Sequence, residues 1–169
     1  KASIITTPTA YAEDFLYNIK PAGGLGSELI LNPNFDDSSF WTLEAGVTIA
    51  NNKANFNTVQ TNYGIFKASL LTNNKTYKVQ LDITDYTSGG VHFNIGGVAI
   101  GTFTALGTHT AYVSSGSGSN VFAIQSDSGG AVLSIDNVSV KEVADFDFDR
   151  NSTGTRVNED YLIEDVPYN

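Results

Sequence analysis

Five polar side chains occupy alternating positions in strand-like segments, where a ligand-binding surface can be built. Gln80 and Asp82 alternate with Val79, Leu81 and Ile83. His92 and Asn94 alternate with Val91, Phe93 and Ile95, and Gln125 ends the run Val121-Phe122-Ala123-Ile124. Successive strand side chains point to opposite faces, so the apolar set faces a core and these five face outward. Amide and carboxylate groups beside an aromatic platform hold polyhydroxylated ligands, because the polar groups bond hydroxyls while the ring stacks on the sugar. Tyr63 and Tyr86 are the candidate platforms, and the five polar residues could share one sheet face. The plainer alternative is a sheet face that is polar because it meets water.

A second set carries oxygen ligands. A hard cation takes roughly six to eight oxygens from carboxylates and carbonyls. If the segments around Asp36 and Asp136 pair as first and last strands of one domain, their carboxylates lie close. Asn34 and nearby carbonyls could then complete a Ca²⁺ shell. Otherwise Asp136 accepts backbone N–H bonds at a strand end and Asp36 caps a turn. The run Asp145-Phe146-Asp147-Phe148-Asp149 has the look of a calcium loop. It lacks the glycine such a loop needs at its sixth position, and Arg156 stands where the bidentate glutamate belongs. Plain alternation explains it better, with Phe146 and Phe148 facing a core or a partner.

Catalysis finds less support. The two histidines, His92 and His109, fall on separate strands, in neither a triad nor a metal spacing. Asp82 and Asp85 do not share a strand face, as a glycosidase's carboxylate pair must. An enzyme is therefore not expected.

The elements that position these residues read as strands. Val47–Ala50, Ala54–Phe56, Tyr63–Phe66 and Ala68–Leu71 come first, followed by Thr76–Ile83, Val91–Ile95 and Val98–Ile100. Thr108–Val113, Val121–Gln125 and Val132–Val140 complete the set. Asparagine and glycine turns separate them, and nothing between them has helical periodicity. The fold class expected is all-β, an antiparallel two-sheet β-sandwich of the jelly-roll kind with extended N- and C-terminal arms. Ala22-Gly23-Gly24-Leu25-Gly26 is a flexible joint. It sets the expected organisation: an N-terminal arm over 1–26, a sandwich over 27–143 and a C-terminal arm over 144–169.

Composition bounds the partners. The chain has 169 residues, 41% of them hydrophobic and only 16% charged, with a net charge of −9. Such a chain repels phosphate backbones and anionic lipid, so neither nucleic acid nor a membrane is an expected partner. No apolar run is long enough to span a bilayer. The absence of cysteine rules out disulfides and thiolate metal sites. A start at Lys1 rather than Met suggests a processed or excised part of something larger.

Two resemblances carry the functional expectation. Glu28-Leu29-Ile30-Leu31-Asn32-Pro33-Asn34-Phe35 with Trp41, then Tyr77-Lys78-Val79-Gln80-Leu81-Asp82-Ile83, then Leu133-Ser134-Ile135-Asp136-Asn137-Val138-Ser139-Val140 make the chain similar to carbohydrate-binding modules of the family 4 and family 9 kind. That resemblance implies a jelly roll that binds glycan chains without cleaving them, a structural Ca²⁺ near the paired terminal strands, and Trp41 in the core. The flanks resemble tailed-phage virion proteins, through Thr7-Pro8-Thr9-Ala10-Tyr11 and Phe15–Pro21 on one side and residues 145–169 on the other. In those proteins the two phrases run nearly together, so the β-module looks inserted between them. The chain departs from their pattern at Gly154 and at Asp160-Tyr161.

Together these imply a non-catalytic virion-surface protein. Its arms would meet other virion subunits and the chain would form a homo-oligomer, while the sandwich holds bacterial surface glycans. The alternatives are a carbohydrate-binding module of a secreted polysaccharide-degrading enzyme and a purely architectural virion domain without sugar binding.

Overall fold

Period-two alternation builds two sheets, and the same alternation divides each strand between core and solvent. The structure, a computed structural model, describes residues 24–143 and, by backbone alone, 154–157 and 163–166. The chain divides into two compact units, Leu25–Val143 and a second made of Lys1–Gly24 with Ala144–Asn169.

In the first unit one sheet has six strands. Its order is β3 (Val47–Ala50), β4 (Lys53–Val59), β11 (Ala131–Val143), β6 (Thr76–Ser88) and β9 (Gly107–Ser114), and β1 (Leu25–Glu28) also pairs with β11. The other sheet has five, in the order β2 (Thr42–Leu43), β5 (Gly64–Lys67), β10 (Phe122–Ser126), β7 (Val91–Ile95) and β8 (Val98–Phe103). Every pairing is antiparallel. The described unit is an all-β, two-sheet sandwich, as the alternation implies.

Tyr77, Val79, Leu81 and Ile83 of β6 are buried against Val91, Phe93 and Ile95 of β7, Phe122 and Ile124 of β10, and Leu133 and Ile135 of β11 within one core cluster. Trp41 belongs to that core at 5% exposure. Its ring lies 5.4 Å from Phe35, 5.0 Å from Phe40 and 6.2 Å from Phe122, and its indole N–H donates to the Asn32 carbonyl at 3.1 Å.

The terminal segments meet along a seam. Leu25 pairs with Val143 and Glu28 with Lys141, and Val138 donates its N–H to the Pro33 carbonyl. The sandwich's first strand thus takes in Leu25 and Gly26. The Glu28 carboxylate accepts from the N–H groups of Leu29, Ile30 and Val140 and from the Ser139 hydroxyl. Opposite β6, β11 bulges at Asn137, whose φ of 50° lies in the left-handed region that asparagine tolerates better than most residues.

Residues 68–71 are not a strand. Ser69 has a φ of 56°, and the N–H groups of Leu70 and Leu71 both donate to the Asn120 carbonyl. Leu71 is buried all the same, so its hydrophobicity marks a core contact made from a loop.

In the second unit, β12 (Gly154–Val157) and β13 (Ile163–Val166) form a two-stranded antiparallel sheet, with Arg156 opposite Glu164. The Thr155-Arg156-Val157 phrase therefore lies on a paired strand. The phrases at 7–21 and the alternating aspartates of 145–149 lie outside the described residues.

Candidate glycan-binding groove

The two sheets present two outer faces, and the five outward polar residues are divided between them. Gln80 and Asp82 lie on β6 of the six-stranded sheet, whereas His92 and Asn94 of β7 and Gln125 of β10 belong to the five-stranded sheet. The expectation of one shared face is thus corrected. Alternation says which way a residue points within its strand, and sheet membership is set by pairing between strands distant in sequence.

The five-stranded face carries the groove. One cross-strand row reads Thr42, Phe66, Ala123, Asn94 and Ala99; the adjoining row reads Gly64, Gln125 and His92. Phe66 faces outward because its neighbour Ile65 is a core residue. A groove of about 350 Å³ opens over this face, lined by Phe66, Asn94, Gly97, Ser119, Val121, Ala123 and Gln125. That is near the lower end of the ~300–1,000 Å³ common for ligand clefts. The small residues Ala123 and Gly97 leave room beside the half-buried phenyl ring.

The polar groups are held by fixed partners. Asn94 Nδ2 donates to Gln125 Oε1 at 3.0 Å, and Asn94 Oδ1 accepts from the Gly97 N–H at 3.0 Å. Gln125 Nε2 donates to the Asn62 carbonyl at 2.6 Å. Each amide NH₂ carries two hydrogens, so each keeps one beyond its bond here. The lining contains no charged residue. An aromatic ring beside small residues, with oriented amides at the rim, suits a neutral polyhydroxylated ligand: the ring meets C–H faces and the amides meet hydroxyls.

His92 is placed differently from the other two. It is 5% exposed, next to Gln125 in register, and absent from the groove lining. Its Nδ1 has no hydrogen-bond partner and lies 3.7 Å from Asp127 Oδ1. Burial holds the imidazole below its ordinary pKa of 6.5, against the opposing pull of the Asp127 carboxylate and of Gln125. Neighbouring side chains bury His92, so its imidazole does not line the groove.

The remaining candidates fall elsewhere. On the six-stranded face, Gln80 accepts from the Thr110 hydroxyl, and Asp82 accepts from the Thr108 hydroxyl at 2.6 Å and the Asn137 amide at 2.7 Å. Tyr86 also lies on that sheet and donates its hydroxyl to the Gly89 carbonyl. These three cannot join a groove on the opposite sheet. Tyr63 precedes β5 and is 42% exposed, yet it is not among the groove's lining residues. The aromatic ring that lines the groove is instead Phe66, which the alternation of Ile65 and Phe66 could have revealed.

The calcium residues do not form a carboxylate cage. Asp136 pairs across strands with Asp82 and accepts the Asn137 N–H at 2.7 Å. In the first loop Asn32 closes the turn, accepting the Asp36 N–H and donating to the Asp37 carbonyl, while Asn34 is exposed. Among the described residues no three acidic or histidine side chains gather in a metal-binding group. The loop is held by its own amide, so this donor set gives a poor fit to Ca²⁺.

No family profile matches the chain, and no curated protein sequence matches it. Solved structures do. The CBM22-1 xylan-binding domain of Paenibacillus barcinonensis Xyn10C is 12% identical, with a TM-score of 0.50 over 71% of this chain and 97% of its own. The CBM22-1-CBM22-2 tandem domain of the same protein is 12% identical, with a TM-score of 0.51 over 78% of this chain and 49% of its own. The mannan-binding module of Man5C aligns over 63% of this chain and 96% of its own, at 12% identity and a TM-score of 0.47. At such identity the likeness is one of fold: the sandwich is the jelly roll found in carbohydrate-binding modules.

Proposed function

We propose that this chain is a non-catalytic glycan-binding module whose sugar site is the groove on the five-stranded face. The observation that carries this reading is the row of Phe66, Ala123 and Asn94, with the Gln125 amide bonded to Asn94 beside it. The xylan-binding domain that shares the fold makes neutral polysaccharides the first ligands to try. Titration calorimetry with xylohexaose, soluble mannan and a panel of bacterial surface glycans tests it. Binding that Phe66→Ala and Asn94→Ala abolish supports the site. A chain that binds none of them, even when multimerised, has no such function.

The setting we favour is the surface of a tailed-phage virion, with the terminal segments docking on other virion subunits and many copies supplying avidity. Its support is the phrasing of residues 7–21 and 145–169. Labelling virions with an antibody to the sandwich is the test, and unlabelled particles would count against it. The second reading, a binding module of a secreted polysaccharide-degrading enzyme, draws on the CBM22 neighbours from Xyn10C. The Ca²⁺ at Asn34, Asp36 and Asp136 is a separate proposal that the loop geometry disfavours. A melting midpoint unmoved by chelator would end it.

A further inference from the structure

His92 is a buried titratable group that the groove does not touch. It lies beside Gln125 across the β7–β10 pairing, and Gln125 in turn holds Asn94. Both ends of the Gln125 amide are committed, Oε1 to Asn94 and Nε2 to the Asn62 carbonyl. The imidazole Nδ1 is buried without a hydrogen-bond partner. We propose that uncharged His92 is a positioning residue for the groove, and that its protonation displaces the Gln125 and Asn94 amides and weakens glycan binding in acid. This rests on the glycan-binding reading of the same groove and names its regulation.

The surroundings leave the imidazole with one charged neighbour. Asp127 Oδ1 stands 3.7 Å from Nδ1, beyond hydrogen-bond reach. Strands β7, β8 and β10 carry no other titratable side chain. On β5, Lys67 extends over the Phe40 ring instead, and Glu44, just after β2, accepts the Gly64 N–H. His109 lies on the other sheet, against Phe103, with its Nε2 at the Ala105 carbonyl. A proton on His92 therefore places a charge where Asp127 is the one counter-charge and the Gln125 amide the other group that favours it. The alternative to a buried charge is movement of the neighbouring amide, which exposes the ring.

The sign follows from burial. The unfolded chain takes the proton near the ordinary value of 6.5, and the folded chain takes it at a lower pH. The unfolded state binds more protons in that window, so stability is complete above it and falls as pH drops through it. Binding that needs the uncharged ring falls along with it.

The test uses the full chain in two measurements. In ligand-free protein, NMR follows the His92 ring and the side-chain amides of Asn94 and Gln125 from about pH 7.5 to about pH 5. Amide resonances that move with the His92 titration support the proposal. Amides that stay fixed while the ring titrates overturn it, as does a ring that takes no proton before the chain unfolds. In the second measurement xylohexaose and soluble mannan are the probes. Wild type and His109→Gln should bind roughly threefold or more weakly at the acid end, and His92→Phe should lose that dependence. A pH profile unchanged by His92→Phe overturns the proposal. If the amides follow His92 but neither glycan binds, the positioning is supported and the functional reading fails.

Discussion

The two outer faces of the sandwich are both polar in sequence, yet they are built differently. On the six-stranded face the polar side chains satisfy one another: Thr110 with Gln80, Thr108 and Asn137 with Asp82, Lys53 with Asp85. On the five-stranded face a phenyl ring and small residues hollow out a groove, and two amides are fixed at its rim. Polarity alone does not mark a binding surface. What distinguishes one is a ring beside small residues, with polar hydrogens left over after the internal bonds are made.

The largest expected effect tests whether both faces stand on one core. Trp41→Ala removes a ring packed on Phe35, Phe40 and Phe122 and should lower stability by about 3–5 kcal/mol in denaturant unfolding. A loss under about 1 kcal/mol would mean the sheets are held separately. Next comes a contrast between glycines. A methyl on Gly64 would press into the Ile124 carbonyl and reach 2.9 Å from Gln125 Cα, whereas one on Gly26 meets nothing nearer than the Glu142 carbonyl at 3.3 Å. Gly64→Ala should cost roughly 1–3 kcal/mol and disturb the groove, with Gly26→Ala clearly milder. Equal melting losses would show that the five-stranded sheet is no tighter there.

Aromatic residues divide the faces more finely. Phe66→Ala should weaken glycan binding about tenfold, near 1.4 kcal/mol. Tyr112→Ala removes a ring that is 60% exposed on the six-stranded face and should leave the affinity unchanged. The reverse result in calorimetry would move the site to the other sheet.

Much of this fold was legible from alternation. Tyr77, Val79, Leu81 and Ile83 announce a strand with one buried face, and Val91, Phe93 and Ile95 announce another. The division of Gln80 and Asp82 from Asn94 and Gln125 was not legible, because it depends on β6 joining β9 and β11 while β7 joins β8 and β10. Those pairings are long-range, and the local pattern is the same in either sheet. Phe66 was within reach, since its outward side follows from Ile65. The burial of His92 was not, because alternation names its face but not the side chains around it.

The smallest effects belong to the residues that looked most like sugar ligands. Asp82→Asn alters the carboxylate that accepts from Thr108 and from Asn137 at the left-handed bulge. It should cost about 0.5–1.5 kcal/mol, the worth of a hydrogen bond or so, with glycan affinity intact. Gln80 has one long bond, 3.4 Å from the Thr110 hydroxyl, so Gln80→Ala should stay within about 0.5 kcal/mol. A calorimetric loss of affinity in Gln80→Ala would count heavily, because that side chain lies on the sheet opposite Phe66. Such a loss would require sugar to bind the six-stranded face, and the difference between the two faces would then be one of architecture alone.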